Sequence, residues 1–161
     1  MSIHVLIVDD HRIFREGLRS LLAQEPDMEV AGEAGSGKEA LQIAESAACD
    51  LVLMDISMPE MNGIEATRHL RAKHPDLKVL ALSMESDRRF IVEVIEAGIH
   101  GYVQKDAAFA ELATAIRTVM AGDTYLGPRI SELIIKDYLQ RIPDGLPLTF
   151  ECLNPRERER G

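Results

Sequence analysis

Charged and hydroxyl side chains stand at the ends of four short apolar runs in this 161-residue chain. The runs end in the Asp9–Asp10 pair, in Asp55, in Ser83 and in Lys105. In an open parallel α/β sheet, ligands bind in the crevice outside the carboxyl ends of the strands. If these runs are parallel strands, carboxylates, a hydroxyl and an ammonium group meet at one edge. That combination suits a Mg²⁺-assisted transfer of a phosphoryl group onto a carboxylate.

The charge of this cluster predicts a bound divalent cation. A single aspartate after a strand is usually a turn or helix-cap residue, but three close carboxylates repel one another. Each close pair costs about 4 kcal/mol at an effective dielectric constant of about 20. Lys105 alone cannot offset this repulsion, whereas Mg²⁺ commonly binds one or two carboxylates with water and phosphate oxygens.

These considerations assign a role to each strand-end residue. We expect Asp9 and Asp10 to hold the metal and Asp55 to attack as the nucleophile. Lys105 would pair with the incoming phosphoryl oxygens, and Ser83 would donate a hydrogen bond to the same group. His11, next to the acid pair, is expected to line the site.

The spacing of apolar residues predicts the elements that position this cluster. Helical stripes, such as Phe14, Leu18 and Leu21, separate the apolar runs, and this alternation indicates a parallel sheet with helices on both faces. Gly98 and Gly122 stand where the fourth and fifth helices would end. The pattern predicts one α/β domain over residues 1–122, with strands near 3–8, 28–33, 50–54, 78–82 and 101–104.

The pattern changes after Gly122. We expect the segment TYLGPR to turn the chain and ISELIIKDYLQR to form an extra helix. The segment IPDGLPLTF, with its prolines and glycine, is typical of a linker, so residues 123–149 are predicted to be a helix and a linker. The apolar residues expected on one side of the extra helix are Ile130, Leu133, Ile134 and Tyr138.

Composition excludes several classes of protein. A hydrophobic share of 46% and a charged share of 28% are typical of a globular protein, and no apolar stretch is long enough to span a bilayer. Cys49 and Cys152 are isolated thiols, and no signal-peptide pattern begins the chain, so a cytoplasmic location is expected. The net charge of −9 argues against DNA binding by these residues alone.

A glycine-rich segment, GEAGSGKE, nearly matches a phosphate-binding P-loop. A P-loop needs Ser or Thr after its lysine to bind Mg²⁺. Glu39 follows Lys38 instead and would place a negative charge beside the phosphates. An ordinary turn between a strand and a helix is the favoured interpretation.

The residues around the cluster carry a resemblance to a known family. The segments VDDHRIFREGL, LVLMDISMPEMNGIEA, LALSME and GYVQKDA resemble the receiver domain of two-component response regulators, from about residue 3 to residue 122. The resemblance implies a flavodoxin-like, doubly wound, five-stranded parallel sheet of order 2-1-3-4-5. It also implies that Asp55 accepts a phosphoryl group from a histidine kinase in the presence of Mg²⁺. Such a protein is a signalling switch rather than an enzyme, although it assists its own phosphorylation and dephosphorylation.

The family pattern extends to further positions. Asp55 and the backbone carbonyl of Ser57 would be further metal ligands, and Ser83 and Tyr102 match positions that reorient on phosphorylation. Phosphorylation would shift a face near the fourth helix, the fifth strand and the fifth helix. Homodimers could form through that face or through the first and fifth helices, and the sequence leaves both open.

Two features resemble the subfamily with a LuxR-type (NarL/FixJ-like) helix-turn-helix output domain. Asp106 follows Lys105, where many receivers have a proline, and LNPRERE resembles the opening of such an output domain. Residues 150–161 are therefore expected to begin a truncated output domain. DNA binding would require the missing part. A receiver that works alone, without DNA-binding output, is the alternative.

Two other classes of protein use a similar fold or strand-end aspartate. A phosphatase resembling haloacid dehalogenases would need an acid two residues after the nucleophile, where this chain has Ser57. A flavodoxin-like FMN carrier would need a Ser/Thr/Gly-rich loop after the first strand, where this chain has DDHRIFRE. A signalling receiver remains the leading prediction.

Overall fold

The computed structural model describes residues 2–56, 63–84, 91–127, 131, 132, 135 and 139. Strands and helices alternate through the described ranges. In chain order the elements are β1 (Ile3–Val8), α1 (Arg12–Leu22), β2 (Met28–Ala34), α2 (Gly37–Ser46), β3 (Leu51–Asp55), α3 (Gly63–Lys73), β4 (Lys78–Ser83), α4 (Ile91–Glu96), β5 (Gly101–Gln104), α5 (Phe109–Met120) and β6 (Tyr125–Leu126).

The strands form one parallel sheet of order β2-β1-β3-β4-β5-β6. The predicted order of the first five strands is confirmed. The additional strand, β6, consists of two residues in the segment that was expected only to turn. Its Tyr125 N–H donates to the His100 carbonyl (3.1 Å), and its phenol donates to the Glu111 carboxylate (3.0 Å). These distant partners stabilise a strand that is too short to show a period in sequence.

Helices cover both faces of the sheet. On one face, Leu22 of α1 and Ile116 of α5 pack against β1, β3, β4 and β5. On the other face, Ala40 of α2 and Leu70 of α3 pack against β1, β3 and β4. Because both faces are covered, the central strands are apolar at successive positions rather than alternating. The side chains of residues 5–8 in β1 are fully buried.

Local sequence signals begin and end the helices. Gly98 and Gly122 adopt positive φ angles of 104° and 97° beyond α4 and α5, as their predicted positions as helix stops require. At the start of α2, the Ser36 hydroxyl accepts a hydrogen bond from the Glu39 N–H, and Glu39 Oε1 accepts one from the Gly35 N–H. The glycine-rich segment is therefore a capped helix start.

Several predictions fall outside the described residues. Ser57 and the segment 140–161 lie there, as do the apolar positions Ile130, Leu133, Ile134 and Tyr138 of the expected extra helix. Within that helix, the described residues Ser131, Glu132, Ile135 and Leu139 are helical. In the described part of the chain, no helix combines the length and the apolar character needed to cross a bilayer.

Candidate functional site

Four adjacent strands bring the predicted site residues to one edge of the sheet. Asp9 directly follows β1, Asp55 ends β3, Ser83 ends β4, and Lys105 directly follows β5. Backbone hydrogen bonds fix the relative heights of these strand ends. The Ile56 N–H donates to the Leu82 carbonyl (3.2 Å), and the Lys105 N–H donates to the Ser83 carbonyl (2.8 Å). Parallel register thus brings together residues up to 96 positions apart.

The ammonium of Lys105 lies between two buried carboxylates. Its Nζ is 2.7 Å from Asp9 Oδ2 and 3.6 Å from Asp55 Oδ2. The side chains of Asp9 and Asp55 are fully buried, and only 7% of the Lys105 side chain is exposed. Asp10, in contrast, keeps 30% of its side chain exposed. The result is a polar site that is closed on the protein side and open toward solvent at Asp10.

His11 joins the site through both its backbone and its ring. Its backbone N–H donates to Asp9 Oδ1 (2.8 Å), and its Nδ1 lies 2.9 Å from the same oxygen. The ring nitrogen is also 3.3 Å from Asp10 Oδ1 and 3.3 Å from Lys105 Nζ. The sequence placed His11 beside the acid pair, and the structure brings its imidazole into contact with both acids.

The donor set fits a divalent cation. Asp9, Asp10, His11 and Asp55 each offer one ligand atom, and these atoms all lie within 4.8 Å of one another. Three carboxylates with one ammonium leave two negative charges uncompensated, which a divalent cation balances. Oxygen atoms of this kind are the ligands that Mg²⁺ prefers. The further ligand predicted at the backbone of Ser57 lies outside the described residues.

Helix α1 supplies contacts that the sequence did not indicate. The ring of Phe14 lies 4.5 Å from Lys105 Nζ, a cation–π contact. The Arg15 guanidinium donates to the backbone carbonyl of Asp9, and its Nε donates to Glu33 Oε1 (3.4 Å). In the sequence, Phe14 was only part of the apolar stripe of a helix. The contact with Lys105 depends on two elements more than ninety residues apart, so no local pattern reveals it.

Gly63 permits the close approach of α3 to the end of β3 at Asp55. A Cβ atom at this position would overlap the Asp55 carbonyl oxygen and the Ile56 Cα. The buried hydroxyl of Thr67 donates to the Gly63 carbonyl (2.6 Å) and stabilises the same turn of the helix. The only sequence signal for this contact is a glycine at the first residue of a helix, where glycine has no general advantage.

Ser83 and Tyr102 are both buried, with exposures of 1% and 0%. The ring of Tyr102 belongs to an apolar cluster that includes Ile56, Ile64 and Val94. This cluster connects the residue after Asp55 with α3, α4 and β5. Tyr102 is thus placed in a packed layer beside the site.

The fold and the site together define a class of α/β domain in which an acid pair, a buried aspartate and a lysine meet at the carboxyl edge of a parallel sheet. A family model described as "Response regulator receiver domain" matches residues 5–117. The chain belongs to this family of two-component response regulators.

Individual relatives agree with this assignment. The chain is 40% identical to "Transcriptional regulatory protein DegU" of Brevibacillus brevis over 137 residues, 85% of this chain and 58% of that protein. It is 40% identical to "Response regulator GacA" of Pseudomonas viridiflava over 156 residues, 96% of this chain and 72% of that protein. A solved structure of a LuxR-family two-component response regulator from Aurantimonas sp. SI85-9A1 has a TM-score of 0.80 and 35% identity, covering 86% of this chain and 99% of that chain.

Proposed function

We propose that Asp55 accepts a phosphoryl group from a histidine kinase and that the chain acts as a phosphorylation-dependent switch. The observation that carries this proposal is the position of the Lys105 ammonium, 2.7 Å from Asp9 and 3.6 Å from Asp55 inside a buried site. An ammonium placed there can pair with an oxygen of a phosphoryl group on Asp55. Family membership supports the same role.

In the proposed reaction, a carboxylate oxygen of Asp55 attacks the phosphorus of a phosphohistidine. The new O–P bond forms as the P–N bond breaks, and the electron pair of that bond returns to the kinase imidazole. Asp9, Asp10 and Asp55, with the backbone carbonyl of Ser57, would hold Mg²⁺. When bound, the metal neutralises charge on the transferring oxygens. Lys105 pairs with one of those oxygens, and Ser83 donates a hydrogen bond to another.

Phosphorylation then shifts a conformational equilibrium. The new group adds a charge of about −1.5 to −2 and three acceptor oxygens. Lys105 and Ser83 contact that group in only one of two arrangements, and the populations move by the difference in affinity. Tyr102 transmits the change because it packs against Val94 of α4 in the same cluster. The face formed by α4, β5 and α5 is the proposed readout.

The output of this switch is proposed to be transcriptional. Residues 150–161 resemble the opening of a LuxR-type DNA-binding domain, after a helix and linker over 123–149. The receiver would control such a domain from the cytoplasm, and homodimerisation through the α4–β5–α5 face or the α1–α5 face would connect phosphorylation to paired DNA half-sites. DNA contact would be made by the output domain, because the acidic receiver repels the phosphate backbone.

Incubation with a small phosphodonor and Mg²⁺ tests the proposal. We expect one acid-stable but hydroxylamine-sensitive acyl phosphate by mass spectrometry, and none after Asp55→Asn or in excess chelator. Asp123→Asn, which changes an exposed aspartate beyond α5, is the matched control and should be labelled like the parent chain. Labelling that survives Asp55→Asn would refute the assignment. Continuous release of phosphate without a labelled intermediate would favour a phosphatase, and binding of a yellow cofactor would favour a flavoprotein.

A further inference from the structure

We propose that His11 is a ligand of the metal held by Asp9, Asp10 and Asp55, and that it gives this site a preference for a first-row transition ion such as Mn²⁺ over Mg²⁺. The inference rests on the proposed function in one respect, because it assumes that a divalent cation binds among these carboxylates. The identity of the ion and the role of the imidazole are additional.

Distances around the ring support coordination. An octahedral ion with bonds of about 2.1 Å holds neighbouring ligand atoms about 3 Å apart and opposite ones about 4 Å apart. His11 Nδ1 lies 2.9 Å from Asp9 Oδ1 and 3.3 Å from Asp10 Oδ1. These are the separations of adjacent ligand atoms on one ion. The full set lies within 4.8 Å, so a shift of less than 1 Å brings the farthest pair into range.

The backbone orients the ring toward the acids. His11 immediately follows the acid pair, and its N–H donates to Asp9 Oδ1 at 2.8 Å. Although 64% of its side chain is exposed, Nδ1 faces the carboxylates. With the ring proton on Nε2, the Nδ1 lone pair points at a position surrounded by carboxylate oxygens. In that tautomer the Lys105 ammonium, 3.3 Å from Nδ1, can donate to the ring when no metal is bound, and a bound divalent cation would take the place of that contact.

Because His11 would contribute a nitrogen ligand, its effect on affinity differs from one metal ion to another. Mg²⁺ prefers oxygen ligands and gives up its bound water reluctantly, so an imidazole adds little to its affinity. First-row transition ions bind imidazole nitrogen well, and their affinity for a mixed nitrogen and oxygen site rises along the series that starts at Mn²⁺. His11 should therefore increase affinity for Mn²⁺ and later ions while leaving Mg²⁺ affinity unchanged.

The test compares the tag-free chain with His11→Ala and with the matched control His69→Ala, which removes an exposed histidine from α3. Titration calorimetry gives the affinities for Mn²⁺ and Mg²⁺. We expect His11→Ala to weaken the binding of Mn²⁺ roughly tenfold and the binding of Mg²⁺ by less than about twofold. Pulsed electron paramagnetic resonance of bound Mn²⁺ should show modulation from one directly coordinated nitrogen, present in His69→Ala and absent in His11→Ala.

Each outcome separates this inference from the proposed function. Binding of Mn²⁺ to the parent chain without nitrogen modulation would overturn the role of His11. An equal loss of affinity for Mn²⁺ and Mg²⁺ in His11→Ala would overturn it too. Tighter binding of both ions in His11→Ala would also overturn it, because the imidazole would then be a competitor that occupies the metal position. Mg²⁺-dependent phosphorylation of Asp55 in the parent chain tests the proposed function separately from these outcomes. Absence of any metal binding to the parent chain would instead contradict the proposed function itself.

Discussion

Lys105 carries the positive charge that lies between the fully buried carboxylates of Asp9 and Asp55. One ammonium cannot neutralise both acids together with the nearby Asp10, so the metal-free site retains uncompensated negative charge. A buried charge without full compensation is costly to a folded protein. The arrangement is therefore suited to binding a cation rather than to stabilising the fold. This is the physical reason to expect a trade-off between function and stability at these residues.

Asp55→Asn should stabilise the metal-free protein. The change removes two carboxylate repulsions and one attraction to Lys105, and it leaves the Asp9–Lys105 pair in place. We expect a gain of about 1–2 kcal/mol in the free energy of unfolding in chelator, since these terms largely offset one another. Urea denaturation measures the change.

Saturating Mg²⁺ provides the control for this experiment. The ion neutralises the same charges in the parent chain, so the difference between the two proteins should shrink or reverse when it is present. A lower stability for Asp55→Asn in chelator would contradict the electrostatic description of the site.

The strand-end residues of the site could be predicted from sequence because their positions follow from periodicity alone. Each apolar run predicts a strand, and parallel connection places all the strand ends at one edge. The contacts of Phe14 with Lys105 and of Arg15 with the Asp9 carbonyl could not be predicted in that way. They depend on the rotation of α1 about its axis, which is set by packing against β1 and α5.

At the scale of elements, the junction between β3 and α3 controls the position of Asp55. The helix begins at Gly63, where any side chain would meet the backbone of Asp55 and Ile56. Because backbone atoms cannot move aside as a flexible side chain can, the strand end and the helix must separate if a Cβ is introduced. The backbone geometry at Asp55 therefore depends on the absence of a Cβ atom at Gly63.

Gly63→Ala should destabilise the protein by about 1–3 kcal/mol, the usual cost of overpacking, and should slow phosphorylation of Asp55 by displacing its carboxylate. Chemical denaturation and the rate of labelling by a small phosphodonor measure the two effects. Gly17→Ala is the matched control, because a Cβ at this α1 position has nothing within 4 Å. It should stabilise the protein by about 0.5–1 kcal/mol. Equal stability and labelling for both variants would contradict the role assigned to Gly63.

Element prediction succeeded for the five strands that alternate with helices and missed the short strand that follows them. β1, β3 and β4 each contain four consecutive apolar residues, whereas the strand order was implied by the family resemblance. β6 contains only Tyr125 and Leu126, and it exists because Tyr125 bonds to His100 and Glu111. Two residues are too few to show a hydrophobic period, so tertiary contacts determine the conformation of this segment.

Across the whole molecule, His100 connects elements on one half of the sheet. Its N–H donates to the Val79 carbonyl (2.7 Å), and its Nδ1 accepts from the Val79 N–H (3.0 Å). Partial burial lowers the pKa of His100 below its ordinary value, and the nearby positive charges of Arg71 and Lys78 lower it further. A protonated Nδ1 could not accept the Val79 hydrogen bond. The folded protein therefore favours the neutral form of the His100 ring.

This dependence predicts loss of stability in mild acid. Because the folded-state pKa of His100 is below the unfolded value, the folded state binds fewer protons. The stabilisation is complete above about pH 6.5 and is lost as the pH falls through the folded pKa. His100→Asn, whose side-chain oxygen can accept from Val79, should flatten this part of the profile in urea denaturation.

The control for that profile is His69→Gln, which replaces an exposed histidine of α3. It should retain the acid dependence of the parent chain. A profile that stays unchanged in His100→Asn and flattens in His69→Gln would assign the effect to the wrong residue and contradict the prediction.

Amide hydrogen exchange, with and without phosphorylation of Asp55, tests most directly whether this chain is a switch. Peptides that cover β4, α4 and β5 should change their exchange rates on phosphorylation, because Ser83, Lys105 and Tyr102 connect these elements to Asp55. Peptides from β2 and α2, on the opposite half of the sheet, should change little. Asp55→Asn treated with the same phosphodonor should show neither change. Identical exchange across β4, α4 and β5 in the phosphorylated and unphosphorylated chain would contradict the proposed mechanism.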